Sequence, residues 1–271
     1  MKIQGVEIQI EGKGAETLVM LHGWPDTLAL WNDTVEALRA SHQCVRFTLP
    51  AFDAQAPMQP KSLMDMVSFI DEVVSAISPQ KPVTLVLHDW GCVFGYEYAA
   101  QHPERVKRMV AVDVGDHNSQ AFLSSWTAKA KWGVFSYQIW LAMAWQMARW
   151  FASPGRALGN RMTRYMAKAL RCPSPLADMH SGMNSPYAMK WMGALGGFDK
   201  AANVLKLLPN ARPMLYVYGR RKPFMFHSPE WLAKIAAHPG SRVAEFDTGH
   251  WVMSAKPEMF TALLQDWLAT T

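Results

Sequence analysis

The run LVLHDWGCVFGYEYA, Leu85 to Ala99, constrains this chain more than any other stretch. It opens as an unbroken apolar segment, the pattern of a strand buried on both faces. From Gly91 to Gln101 the spacing is helical. Between the two, where the chain must turn sharply, stand His88, Asp89, Trp90 and Gly91. A buried strand that turns directly into a helix belongs to a layered α/β structure, in which reactive groups sit at the carboxyl ends of parallel strands. Asp89 then has two readings. It caps the helix, as Asp favourably does, or the turn holds its carboxylate out of the sheet where it attacks a substrate. The stretch alone does not choose.

The rest of the chain extends the same alternation. Val6 to Ile10 alternates like an edge strand. Thr17 to Leu21, Cys44 to Leu49, Val83 to Leu87, Val106 to Val112, Met214 to Tyr218 and Val243 to Phe246 read as further strands, and Leu63 to Ile77 has helical spacing. This order implies a mostly parallel central sheet with helices on both faces. One region breaks it. From 117 to 203 no strand pattern occurs, and the segment is rich in Trp, Met and Tyr at helix-like spacing. It is expected to be a helical cap, or lid, inserted between two parts of the core, 1–116 and 204–271. Most of its Met and Trp suit ordinary core packing; flexible Met among aromatics also suits the wall of an apolar pocket.

Composition sets the remaining bounds. The 271 residues, half of them apolar, suffice for one domain with an inserted lid. The net charge of +5 comes from scattered Lys and Arg with no block of like charges, which argues against a nucleic-acid partner. Three cysteines without metal-like spacing argue against a disulfide framework and suit a reducing, cytoplasmic setting. No metal site or cofactor is indicated. The polar, alternating N-terminal sequence is not a signal peptide, and no apolar run is long and unbroken enough for a membrane span. Exposed Trp and Met would suit a homodimer face or a lipid-facing rim.

A reactive side chain at a strand-turn-helix junction is the arrangement called a nucleophile elbow. Its usual occupant is Ser within G-x-S-x-G; here the segment reads Leu87-His88-Asp89-Trp90-Gly91, with Leu where a small residue is usual. Three more segments accompany it: HGWP at His22 to Pro25, Trp31 shortly after, and GHW at Gly249 to Trp251. Together, and in this order over nearly the whole chain, they make the sequence resemble the α/β-hydrolases with an aspartate nucleophile, the epoxide hydrolases and haloalkane dehalogenases.

The resemblance implies roles. Asp89 displaces an epoxide oxygen or a halide from a saturated carbon and forms an alkyl ester. His250 activates the water that hydrolyses it. The backbone N–H groups of Trp24 and Trp90 stabilise the oxyanion. His22, at the HGWP turn, orders that loop or contacts substrate. The acid partner of His250 has two locations in such enzymes. After the Met214 strand, where relatives carry Asp in G-x-x-D, this chain reads Gly219-Arg220-Arg221-Lys222. After the Val106 strand stands Asp113, the preferred acid; Asp116, equally readable as a cap of the first lid helix, and Asp247 follow. Tyr137, in VFSYQIW, and Tyr187 or Tyr165 are the candidate lid tyrosines that would protonate an opening epoxide. The expected substrate is a small apolar organic molecule reacting with water, most simply an epoxide, alternatively a haloalkane. The same fold also accommodates an esterase or a non-catalytic binding homologue. Cys92, three residues after Asp89, is expected to pack the helix rather than react.

Overall fold

The structure, a computed structural model, describes residues 1–54, 58–117, 119–194 and 212–271, the side chains of 193 and 194 excepted. Eight strands form one sheet: β1 (Lys2–Ile3), β2 (Val6–Glu11), β3 (Thr17–Leu21), β4 (Gln43–Phe47), β5 (Val83–His88), β6 (Val106–Val112), β7 (Met214–Gly219) and β8 (Arg242–Phe246), in spatial order β1-β2-β4-β3-β5-β6-β7-β8. The β1–β2 and β2–β4 pairs are antiparallel and the remainder parallel. Each expected strand falls on one of these; β1 is too short to leave a pattern in sequence.

Side-chain alternation divides the core into two layers. Val19, Leu21, Leu85 and Leu87 face α2 (Leu63–Ile77) and α3 (Trp90–Gln101). Leu18, Met20, Val86, Val110 and Val112 face α1 (Asn32–Leu38) on the other side, with Phe260, Leu264 and Trp267 of the chain's last helix. Burying both faces of the central strands explains why they read as continuous apolar runs. The start of α2 is set locally. Ser62 accepts from the Asp65 N–H while Asp65 accepts from the Ser62 N–H, a reciprocal cap.

Between β6 and β7 the described residues form helices and no strand: α4 (Gln120–Ser125), α5 (Ala128–Trp150), α6 (Ala152–Ala169) and α7 (Ser185–Ala194). α5 packs against both α6 and α7. The expected cap boundary at 203/204 lies outside the described residues. The chain closes with α8 (Pro229–Ala237), α9 (Val252–Ala255) and α10 (Pro257–Thr270). Among the described residues no helix is long and apolar enough to cross a membrane. Because β3, β5, β6, β7 and β8 run parallel, the turns after them, bearing Trp24, Asp89, Asp113, Lys222 and His250, gather at one sheet edge.

Candidate active site

Asp89 sits between β5 and α3 with φ +51° and ψ −120°. A non-glycine residue held there carries backbone strain, which marks sites where function demands a particular side-chain direction. Its carboxylate makes no capping bond to α3; Oδ2 instead accepts from the Trp24 N–H at 2.7 Å. The turn depends on close backbone approach. A Cβ at Gly91 would lie 2.3 Å from the Leu21 carbonyl oxygen, and one at Gly23 would lie 2.4 Å from the Asp89 carboxylate. The large Leu87 is accommodated further along α3: a Cβ at Gly95 would meet its Cδ2 at 2.4 Å.

His250 stands in the loop between β8 and α9, its Nε2 3.6 Å from Asp89 Oδ1. Its Nδ1 pairs with Asp113 Oδ2. Asp113, fully buried after β6, is held at φ +72°. Its second oxygen accepts from the Gly219 N–H at 3.1 Å and pairs with the buried ammonium of Lys222. Lys222 therefore contacts the carboxylate from the turn after β7. The fallback acids are engaged elsewhere. Asp116 accepts from Ser228 N–H and from the Ser119 and Ser228 hydroxyls. Nor does it cap the first lid helix, a task Ser119 performs. Asp247 is paired with Arg220 and Arg221 at the surface.

The charges are strongly coupled. Burial would depress the His250 imidazole, but the Asp113 and Asp89 carboxylates override it and raise its pKa to about 9. Burial opposes ionisation of Asp89, yet His250, His88 and the Trp24 N–H hold its carboxyl below the usual range. Asp113 is held down likewise, against burial, by Lys222 and His250. Burial outweighs the Asp113 charge at Lys222 and lowers its ammonium.

A cavity of 690 Å³ opens over Asp89 and His250, lined among others by Trp24, Tyr137, Tyr187, Lys222 and Phe226. A second arm of 340 Å³, mostly apolar, also reaches Asp89 and is lined by Trp90, Val134, Phe135, Tyr187, Lys190 and Trp191. The Tyr137 and Tyr187 rings lie edge to face, 6.0 Å between centroids. Tyr137 Oη accepts from Gln138 Nε2 at 3.2 Å. Tyr165 instead lies exposed on α6. The Trp90 N–H opens α3, where it has no intrahelical acceptor.

His22 is fully buried with both ring nitrogens engaged, and it lines neither the cavity nor its arm. Nε2 accepts from the Leu49 N–H at 2.9 Å, so Nδ1 is the donor to the Gly23 carbonyl, and burial pulls its pKa down to about 4. Cys92 is buried and its thiol is pushed far up by burial. Three residues of the site escaped sequence reasoning. Asp26, fully buried with its pKa raised by burial to about 6, accepts from Trp251 Nε1 and from the Ser174 hydroxyl after α6. Asn184, just before α7, accepts from Trp24 Nε1 at 2.8 Å and fixes that ring. Lys190 is burdened by burial, which brings it down to about 8. Only Asp26 had a local signal, as the acid completing HGWPD. Among the described residues no group of His, Cys, Asp and Glu could hold a metal ion.

Known proteins share this framework. Residues 16–257 match the family model described as alpha/beta hydrolase fold. A cis-3-alkyl-4-alkyloxetan-2-one decarboxylase from Xanthomonas campestris is 26% identical over 281 residues, covering 93% of this chain and 88% of that protein. A protein of the same name from Shewanella oneidensis is 32% identical over 111 residues, and that match spans only 39% of this chain and 34% of the relative's length. An epoxide hydrolase from Bacillus megaterium, solved with an inhibitor, superposes with a TM-score of 0.72 at 19% identity, covering 99% of each chain. With an eight-stranded sheet in this order, the turn bearing Asp89 at its centre and a match over nearly its whole length, the chain belongs to the α/β hydrolase fold family.

Proposed function

We propose that the protein is a hydrolase of epoxides acting through an alkyl-enzyme ester. Asp89 Oδ1 attacks a ring carbon; the C–O bond breaks, and the departing oxygen takes a proton from a tyrosine. His250 then takes a proton from water, which adds to the ester carbonyl. The resulting oxyanion at Asp89 Oδ2 is held by the Trp24 N–H, already bonded to that oxygen, and by the Trp90 N–H. Asp113 orients His250 and offsets its charge. Collapse of this intermediate passes its hydroxyl proton to the departing alkoxide, releasing a diol and restoring the Asp89 carboxylate.

The observation that carries this reading is the pair Tyr137 and Tyr187 in the cavity over Asp89. An alkoxide is strongly basic and needs a proton as it forms, whereas halide needs only donors. The indoles favour the same side. Of the tryptophans lining the cavity and its arm, Trp24, Trp126, Trp191 and Trp251 all donate their N–H to protein acceptors. That leaves Trp90 without a second indole to cradle halide. An esterase reading lacks a hydroxyl or exposed thiol at the elbow.

The Xanthomonas relative supports a second reading, because its name denotes action on an oxetan-2-one, another strained oxygen heterocycle. The test is mass spectrometry of a His250→Gln variant incubated with an epoxide, a bromoalkane and an oxetan-2-one. The epoxide should leave a covalent adduct of its full mass on the peptide containing Asp89. An adduct with the bromoalkane alone would reject the proposal, and carbon dioxide release from the oxetan-2-one without epoxide turnover would replace it by the second reading. Tyr137→Phe should slow adduct formation by about 10²-fold.

A further inference from the structure

Along the sequence the cations look scattered, but the cap gathers them. Residues 117–177 contain eight Lys and Arg and no Asp or Glu; of the chain's 27 cationic side chains this leaves 19 against all 22 acidic ones elsewhere. The cap segment is thus strongly positive and the rest of the chain slightly negative. Aromatic rings stand out on the same helices. Trp132 is 69% exposed, Trp150 63%, Phe151 54% and Tyr165 64%.

Three of those cations and three of those rings share a face. On α5, Lys129, Trp132, Ser136, Trp140, Met143 and Trp150 follow one another at three-, four- and seven-residue steps, which is a single helical stripe, and all are exposed. On α6, Leu158, Arg161, Tyr165 and Lys168 make a second exposed stripe. The two meet where the Trp140 and Tyr165 rings lie 5.9 Å apart and Trp140 Nε1 donates to the Met162 carbonyl.

We infer that this outer face of α5 and α6 docks the protein on anionic phospholipid membranes. Trp and Tyr are amphipathic and settle at the headgroup level, and neighbouring Lys and Arg are drawn to anionic lipids. Charge complementarity selects this occupant over a second copy of the chain. A two-fold dimer through the face would set its cations against one another. The helices lie on the surface rather than crossing it, since none described is apolar enough to span. α6 also leads to the active cavity: Ala169, Leu170 and Arg171, at and just after its end, line that cavity. An apolar compound dissolved in the lipid would therefore meet the cavity beside the docked face. The docking itself is independent of the chemistry proposed for Asp89.

The test is co-sedimentation of the full chain with vesicles of phosphatidylcholine alone and with about one-third phosphatidylglycerol, with tryptophan emission followed in parallel. Binding is expected to the phosphatidylglycerol vesicles, with a blue shift, and to weaken steeply with salt. A variant with Arg161→Glu and Lys168→Glu should partition at least about tenfold less. Trp132→Ser with Trp150→Ser should lose the shift. These residues lie outside the site, so turnover of a soluble substrate should not change. Equal behaviour toward the two vesicle types, or no binding at low salt, would overturn the inference, and the wild-type comparison needs no variant to fold. A concentration-dependent dimer that excludes vesicles and is dissolved by the same substitutions would overturn it in favour of a second copy.

Discussion

At residue scale the proposed site turns on how the charge of His250 changes during the reaction. In the resting state two carboxylates face the imidazole and raise its pKa to about 9. Ester formation at Asp89 would remove one of them, so the ring gives its proton to the tyrosinate left by epoxide opening and is a free base when water must be activated. Asp113→Asn should therefore slow hydrolysis of the ester far more than its formation, as rapid-mixing kinetics would resolve. Equal loss in both steps would count against Asp113 as the partner of His250. Lys222 modulates the same balance by sharing the Asp113 charge. In Lys222→Met the whole carboxylate charge would act on His250, and the acidic limb of the hydrolysis rate should move to higher pH. An unmoved limb would reduce Lys222 to a packing role. The departure at Lys222 was visible in sequence, but only the fold shows that its ammonium meets Asp113. The two are far apart in the chain and are joined by neighbouring strands β6 and β7.

At the scale of elements, the elbow works because α3 approaches the end of β3 closely at Gly91 and β5 closely at Gly95. Gly91 faces backbone, which cannot yield. Gly95 faces the Leu87 side chain, so the usual small residue of the turn has been exchanged for a glycine on the helix. Gly95→Ala should cost about 1–3 kcal/mol by overpacking. In a chemical-denaturation double-mutant cycle that cost should largely vanish in a Leu87→Ala background. Additive effects would show that the two do not meet. The helices between β6 and β7 bring their own contribution: α5 carries Tyr137 and α7 carries Tyr187, and their packing sets the rings edge to face over Asp89. A lone Tyr in an amphipathic helix does not reveal which way its ring points, which is why the sequence offers Tyr137 but does not choose between Tyr165 and Tyr187 as its partner.

For the whole molecule, buried titratable groups predict a stability maximum near neutral pH. Burial pushes His22, His88 and His227 down to about 4, 3 and 4. Between their ordinary value of 6.5 and these lower values the unfolded chain binds protons that the folded chain refuses, so stability falls on acidification. Asp26, raised to about 6 by burial, acts in the opposite sense and offsets part of the loss. Glu16 adds to the loss at lower pH; hydrogen bonds and charges from Thr84, Arg108 and Lys107 overcome its burial and bring it to about 2. On the alkaline side His250 keeps its proton to about 9 when folded and releases it near 6.5 when unfolded. Its contribution is complete below 6.5 and disappears as pH rises through 9. Melting temperatures should therefore peak near neutrality and fall on both the acidic and the alkaline side, toward about pH 5 and about pH 9. A melting temperature still rising as the pH is lowered to about 5 would contradict this assignment of buried neutral histidines.

What the sequence determined by itself were features written in local order: apolar strands between helices, the sharp turn at Asp89, the HGWP turn, the loop before α9 that presents His250, and the strand-free stretch after β6. Each is a short-range pattern of burial and backbone preference, legible without knowing what lies opposite. The tertiary structure decided what depends on partners distant in the chain. It placed the Trp24 N–H on Asp89, divided Asp113 between His250 and Lys222, spent one nitrogen of His22 on its own loop and the other on the Leu49 N–H after β4, and set exposed cations and aromatics of α5 and α6 side by side. Side chains separated by many residues meet only because parallel strands end at a common edge and cap helices pack over it, and a linear pattern carries no record of that direction.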